Sequence, residues 1–452
     1  MGTEIAQRLA EFTHRTRLED IPQGTVEFTK GLCLKTVAGM LRGSMMPAGL
    51  RASNSARERG HAPEVSVIGS GFRTSLWNAV LNHAFFAHAS ELEDDRFGGL
   101  GTCWDITVLP VTFTFAEKLK LSGRELVELS AIGLEVHART CLFYPQGYMG
   151  MTVIPGAMGP AAAAARALKL GVPETVAALG LSMSSPPIAY ASFGTDSHYF
   201  ESAMQSLQGL IAAELAQQGA SGNPDIVTFM TNLIGKDKVK PEKFLENLGS
   251  DWFLNAIWIK KYPCCFYMHR YLDAFLDLLA TEKLVYEQIE KVRVHISQVE
   301  RCCDRPDPKT FDDLQFSFHH SHGVAMIDRD VNFSHISDAA RDNPRYREAR
   351  AKVEVVFHPE WASAYAMGTP AQLEVMLGDG RRFSREKNHV IGSPTEPLTM
   401  EQFKALFVKF TRDLLPEADL RWTVDALANL ERLDRGEVEK LMHILVRTGK
   451  LQ

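Results

Sequence analysis

The chain has 452 residues, 45% of them hydrophobic and 23% charged, with a formal net charge of −6. That length exceeds one ordinary core and predicts two or three domains of a globular protein. The acidic balance argues against nucleic acid or an anionic membrane as partner, and no run of 18 apolar residues could span a bilayer.

The N-terminal MGTEIAQRLAEF is amphipathic and carries acidic residues, unlike the basic start and apolar core of a signal peptide. Residues 4–15 and 25–42 have the apolar spacing of helices. HASELEDDRF, 88–97, then crowds Glu91, Glu93, Asp94 and Asp95 behind the apolar NHAFFA. On a continuing helix, Glu91 and Asp95 share a face with His88, and Glu93 and Asp94 turn to solvent or cap structure. A solvated helix end pairing with Arg96 is the plain alternative. A metal set of His88, Glu91 and Asp95 fits by spacing but has no further ligand nearby in sequence.

Ser122 and Glu125 form a capping box before a long helix to Leu142. GPAAAAARALKLG, 159–171, predicts an Ala-rich helix ended by Gly171, and Pro173 opens another. SLQGLIAAELAQQG, 206–219, predicts one more. Beyond these, DAFLDLLA, 273–280, is helical, whereas KVRVHISQVE, 291–300, and KVEVVF, 352–357, are strand-like. AQLEVMLGDGRRFSRE, 371–386, reads as two strands joined at Asp379 and Gly380. Thr399 and Gln402 cap a returning helix, with 423–433 and 437–447 to follow. The seven cysteines include the adjacent pairs Cys264–Cys265 and Cys302–Cys303 and no CxxC. That pattern predicts neither a disulfide framework nor structural zinc, and a reducing, cytoplasmic location.

Several segments, in order, resemble the MmgE/PrpD family. They are TKGLCLKTVAGMLRGS (29–44), NHAFFAHASELEDD (82–95), the Ala run after Gly159 and KKYPCCFYMHRYLDA (260–274). LQFSFHHSHGVAM (314–326), DGRRFSRE (379–386) and SPTEPLT (393–399) complete the series. The resemblance implies a mainly α fold: a large all-α helical domain built from both chain ends, 1–262 and 393–452, with a smaller α+β lid, 263–392, inserted between. It further implies a homodimer, a site in the interdomain cleft, no cofactor or metal, and a small-molecule carboxylate substrate.

Residue by residue, the resemblance implies Lys260 as the mapped lysine of a Lys-x-Tyr-Pro motif, binding a carboxylate or a developing enolate. His269 also fits that segment. Glu91 falls where relatives carry Asp, and burial would bring its pKa into a useful range. Asp95 falls where they carry Thr or Ser. A family histidine maps onto Cys103, either an acid or nucleophile with a tuned pKa or a packed thiol. Another maps onto Gly150, leaving Tyr148 as the nearest polar side chain. A family lysine maps onto His198, read as a loop residue, and a tyrosine onto His320. Lys260, Glu91, His198 and His320 are thus the candidate catalytic residues, with Asp95, Cys103, Tyr148 and His269 on the substrate. These departures imply a divergent member with a smaller or less charged substrate. The activity expected is a cofactor-independent lyase of dehydratase or decarboxylase type, with an epimerase or isomerase, or a ligand-binding protein, as alternatives.

Overall fold

Helical apolar spacing dominates the first 260 residues, and the chain there winds into helices stacked around one apolar core. The computed structural model describes residues 1–59, 61–96, 103–140, 156–184, 194–228, 231–232, 235–237, 239–361 and 370–446. The first helices are α1 (Gly2–Arg15), α2 (Gln23–Met45), α3 (Pro47–Glu58) and α4 (Leu76–Ala89). A short antiparallel ladder of β1 (Val65–Ser66) and β2 (Arg73–Thr74) precedes α4. Then come α5 (Trp104–Lys118), α6 (Gly123–Thr140), α7 (Met158–Ala167), α8 (Val172–Ser182) and α9 (Asp196–Gln217). The fold class is mainly α.

Helix α2 is buried on nearly every side, Lys30 and Lys35 included, as befits a central helix. It lies against α4 and against the returning helix Met400–Thr411, whose Phe403, Phe407 and Phe410 join the same core. Gly43 permits the α4 contact, because a Cβ there would stand 1.8 Å from the Phe86 carbonyl oxygen. Gly209 does the same for α9, where a Cβ would meet the Ala157 oxygen at 2.6 Å. Small residues therefore seat α4 on α2 and α9 on α7, and α4 and α9 in turn pack directly against each other.

A second apolar cluster forms around a four-stranded sheet of order β4-β3-β5-β6. Its strands are β3 (Ile289–Ile296), β4 (Val353–Phe357), β5 (Ala371–Leu377) and β6 (Arg382–Lys387). β3 pairs with β4 in parallel and with β5 antiparallel, with Val292 opposite both Val353 and Val375. Alternate residues of β5 are buried, and the helix His269–Thr281 covers that sheet. The turn at Asp379 and Gly380 is as predicted, with Gly380 at φ 89°.

Among the boundaries that differ from the sequence reading, three stand out. The Ala-rich helix ends at Ala167 rather than Gly171, because Lys169 turns left-handed at φ 59°. Gly171 instead caps the start of α8. Helix α9 begins ten residues before 206, at Asp196, so His198 stands in its first turn rather than in a loop. Most consequentially, α4 ends at Ala89, so residues 91–95 are not helical.

Candidate active site

The site begins where α4 stops. Glu91 takes a left-handed backbone at φ 53°, a position usually given to Gly or Asn. A side chain there costs about 1–2 kcal/mol, which persists only where surrounding contacts fix it. Those contacts come from a distant segment. Asp95 and Trp258 exchange backbone hydrogen bonds of 3.1 and 2.8 Å, laying 258–260 beside 93–95. The shared helical face expected for His88, Glu91 and Asp95 is replaced by a turn held against this strand-like segment.

That pairing delivers Lys260, which is fully buried. Its Nζ donates to Glu91 Oε2 at 3.0 Å and, more closely, to Glu93 Oε1. Its backbone N–H donates to Asp94 Oδ1 at 2.7 Å. Lys35 Nζ, from α2, reaches the same Asp94 oxygen at 3.2 Å. Asp105 accepts from the Asp94 amide at 3.3 Å and from Thr36 at 3.2 Å. Glu93 and Asp94, expected to face solvent, are therefore buried, because two lysines from remote segments meet them.

Two ammonium groups, Lys35 and Lys260, face four buried carboxyl groups, Glu91, Glu93, Asp94 and Asp105. Four ionised carboxylates would leave two negative charges uncompensated in a low-dielectric region, which is costly. Protonation relieves this. Burial, then the neighbouring Glu93 charge, pushes the Glu91 carboxyl up to about 8. Burial and Asp94 hold Asp105 well above the usual carboxylate range. Lys260 stays an ammonium, since Glu91 and Glu93 outweigh the burial that opposes its charge.

Opposite Glu91, His88 from α4 meets His198 from α9 with Nε2 atoms 3.1 Å apart. Ser202 lies one turn beyond His198, and its hydroxyl donates to the Tyr199 carbonyl at 3.1 Å. The Ser202 oxygen is thus left to accept from His88 Nδ1 at 2.9 Å, which fixes the proton on Nδ1 and a lone pair on Nε2. Burial, His198 and Lys260 keep His88 neutral, well below its usual value. Burial opposes the charge on His198 too, but Glu201, with Nδ1 and Oε2 3.6 Å apart, and then Glu91 raise it above the ordinary value.

These groups line a cavity of about 50 Å³ together with Asp95, Cys103, Thr107 and Phe316. Of the expected site residues, Glu91, Asp95, Cys103 and His198 meet here. Burial, Asp95, Glu93 and Asp105 push the Cys103 thiol well above its usual value, so it is a neutral thiol rather than a nucleophilic thiolate. Lys260 stands behind the two glutamates and does not itself line the cavity. His269 lies off it, bonded to the Cys264 carbonyl at 3.2 Å and stacked on Phe266. His320 lies elsewhere, donating to the His335 carbonyl at 2.7 Å with Arg350 at its other nitrogen. Tyr148 and position 150 fall outside the described residues. His88, Glu93 and Glu201 were not among the expected site residues. His88 could have been found, since it opens the same acidic stretch.

Residues 7–236 match the family model of the MmgE/PrpD N-terminal domain, and residues 262–450 that of the MmgE/PrpD C-terminal domain. The chain is 24% identical over 345 residues to cis-aconitate decarboxylase of Homo sapiens, covering 72% of this chain and 71% of that protein. It is 21% identical over 472 residues to cis-aconitate decarboxylase of Aspergillus terreus, covering 98% and 96%.

Proposed function

The chain belongs to the MmgE/PrpD family, and from that premise we propose that it is a lyase of decarboxylase or dehydratase type acting on a small carboxylate. One observation carries the reading. A protonated carboxyl, Glu91, and an unprotonated imidazole nitrogen, His88 Nε2, line the same cavity. An acid and a base of opposite protonation state at neutral pH are what such chemistry needs. In elimination, His88 takes the proton beside the substrate carboxylate, and Glu91 gives its proton to the departing hydroxyl, which leaves as water. In decarboxylation, CO₂ departs and Glu91 protonates the carbanion. His198, whose charged form the neighbouring Glu201 favours against burial, faces the developing negative charge. Lys260 is a positioning residue that balances Glu93 and leaves Glu91 to hold the proton.

Epimerisation is the second reading, favoured by the same pair of acid and base, which would abstract and return a proton. The domain division, 1–262 with 393–452 against 263–392, is part of the proposal. It is supported by the two apolar clusters and by cavity walls drawn from both. The homodimer reading is supported by exposed Trp77, Phe200 and Met204 on α4 and α9.

The test is to offer cis-aconitate and a panel of small di- and tricarboxylates in D₂O. Released CO₂ or new alkene absorbance supports a lyase, and deuterium incorporation without loss of mass supports the epimerase. Binding without turnover across the panel would leave a ligand-binding protein.

A further inference from the structure

We propose that the cavity binds one divalent first-row transition-metal ion through His88, Glu91, Glu93 and His198. The sequence reading implied no metal, because His88 and Glu91 had no further ligands nearby. The fold supplies them from 110 residues away, where α9 meets α4. One donor atom from each of the four residues lies within 4.8 Å of all the others. Two imidazole nitrogens on one tetrahedral ion stand about 3.3 Å apart, given metal–nitrogen bonds of about 2.0–2.1 Å. The His88 and His198 Nε2 atoms are 3.1 Å apart.

The surroundings are those of a built ligand set. Ser202 turns the His88 Nε2 lone pair toward the cavity, and Glu201 stands behind His198 as an outer carboxylate. Lys260 engages one oxygen of each glutamate. The other oxygens, Glu91 Oε1 and Glu93 Oε2, are buried without a hydrogen-bond partner. Such atoms call for an occupant. The 50 Å³ of space suits an ion with a water, which would complete its coordination. Two imidazoles with carboxylates favour zinc, manganese, iron(II) or cobalt over magnesium and calcium. The competing occupant is a proton shared between the two histidines.

With an ion bound, His88 and Glu91 would be ligands rather than base and acid, and the ion would instead polarise a bound carboxylate; that catalytic meaning rests on the lyase reading, whereas the binding does not. The test therefore uses no substrate. The full chain is stripped with chelator and titrated with Co²⁺, followed by its visible absorption, and with Zn²⁺ by calorimetry. One equivalent is expected. His88→Ala and His198→Gln should each weaken binding by more than about 100-fold, and Glu201→Gln by about 10-fold. Circular dichroism establishes that each variant is folded, and His198→Gln, in the first turn of α9, serves if His88→Ala is not. A second histidine pair, His295 and His358 at 2.9 Å, is the control, and His358→Ala should leave binding unchanged. No uptake by the wild-type chain would overturn the proposal in favour of the shared proton. Uptake lost in His358→Ala but kept in His198→Gln would overturn it in favour of the outer pair. Uptake without turnover of any carboxylate would sink the lyase reading and leave the metal site standing.

Discussion

The helix Phe318–Asp328 carries three histidines within four residues and presents none of them to the cavity, whereas α4 and α9 each contribute one, and these two face each other. The difference lies in what each ring meets. His320 donates to the His335 carbonyl, His322 bonds the Phe318 carbonyl one turn back at 3.0 Å, and His319 pairs with Asp304 at 3.0 Å. Every one of these rings has a local partner and serves packing. His88 and His198 have partners that fix one nitrogen and aim the other at shared space. Density of a residue type along the chain is therefore a weaker sign of a site than convergence between elements.

The contrast breaks most sharply at Lys260. Lys260→Met leaves Glu91 and Glu93 buried without their counter-ion and should cost about 3–5 kcal/mol of stability. Urea unfolding measures it, and adding Glu93→Gln should recover part of the loss. If Lys260→Met were neutral, the buried ion cluster would not exist as described. Glu91→Gln keeps shape and fold but removes the proton. Activity on whichever carboxylate the chain turns over should drop by about 10²–10⁴. In the wild type, kcat/KM should fall as pH rises through about 8, where Glu91 loses its proton. Full activity in Glu91→Gln would move the acid elsewhere. His320→Gln should show the reverse pattern, with activity within a few-fold of wild type and about 1–3 kcal/mol of stability lost. A variant that kept stability and lost turnover would place His320 at the chemistry after all.

Much of the framework was legible because its causes are local. The turn at Asp379 and Gly380, the Thr399 capping box and the apolar spacing of α1 and α2 depend on residues a few positions apart. The site was legible only in part, because its causes are not local. Nothing within HASELEDDRF marks Ala89 as a helix end, since the left-handed turn falls on Glu91 rather than on Gly or Asn. Glu93 and Asp94 turn inward for lysines 167 and 59 residues away. His198 joins His88 only once Gly209 and the small residues of α7 let α9 settle.

The smallest effect separates the two regions by the sign of their pH response. Burial pushes His83 and His137 down to about 3, and His320 and His322 down to about 4. Each binds fewer protons folded than unfolded, so each adds stability as pH rises from its folded value toward about 6.5, by up to about 1.4 kcal/mol per pH unit. Glu91 works the other way. Its folded pKa lies above the unfolded one, so its contribution is lost as pH rises from about 4.5 toward about 8. Replacing a packing histidine, as in His320→Gln, should therefore flatten the rise of stability between about pH 4 and 6.5, while Glu91→Gln should steepen it from about pH 4.5 upward. Urea midpoints measured across pH 4–8 decide this. If both variants shifted the slope in the same direction, the carboxyl cluster would not hold its proton in the folded state. The acid assigned to Glu91 would then fall with it.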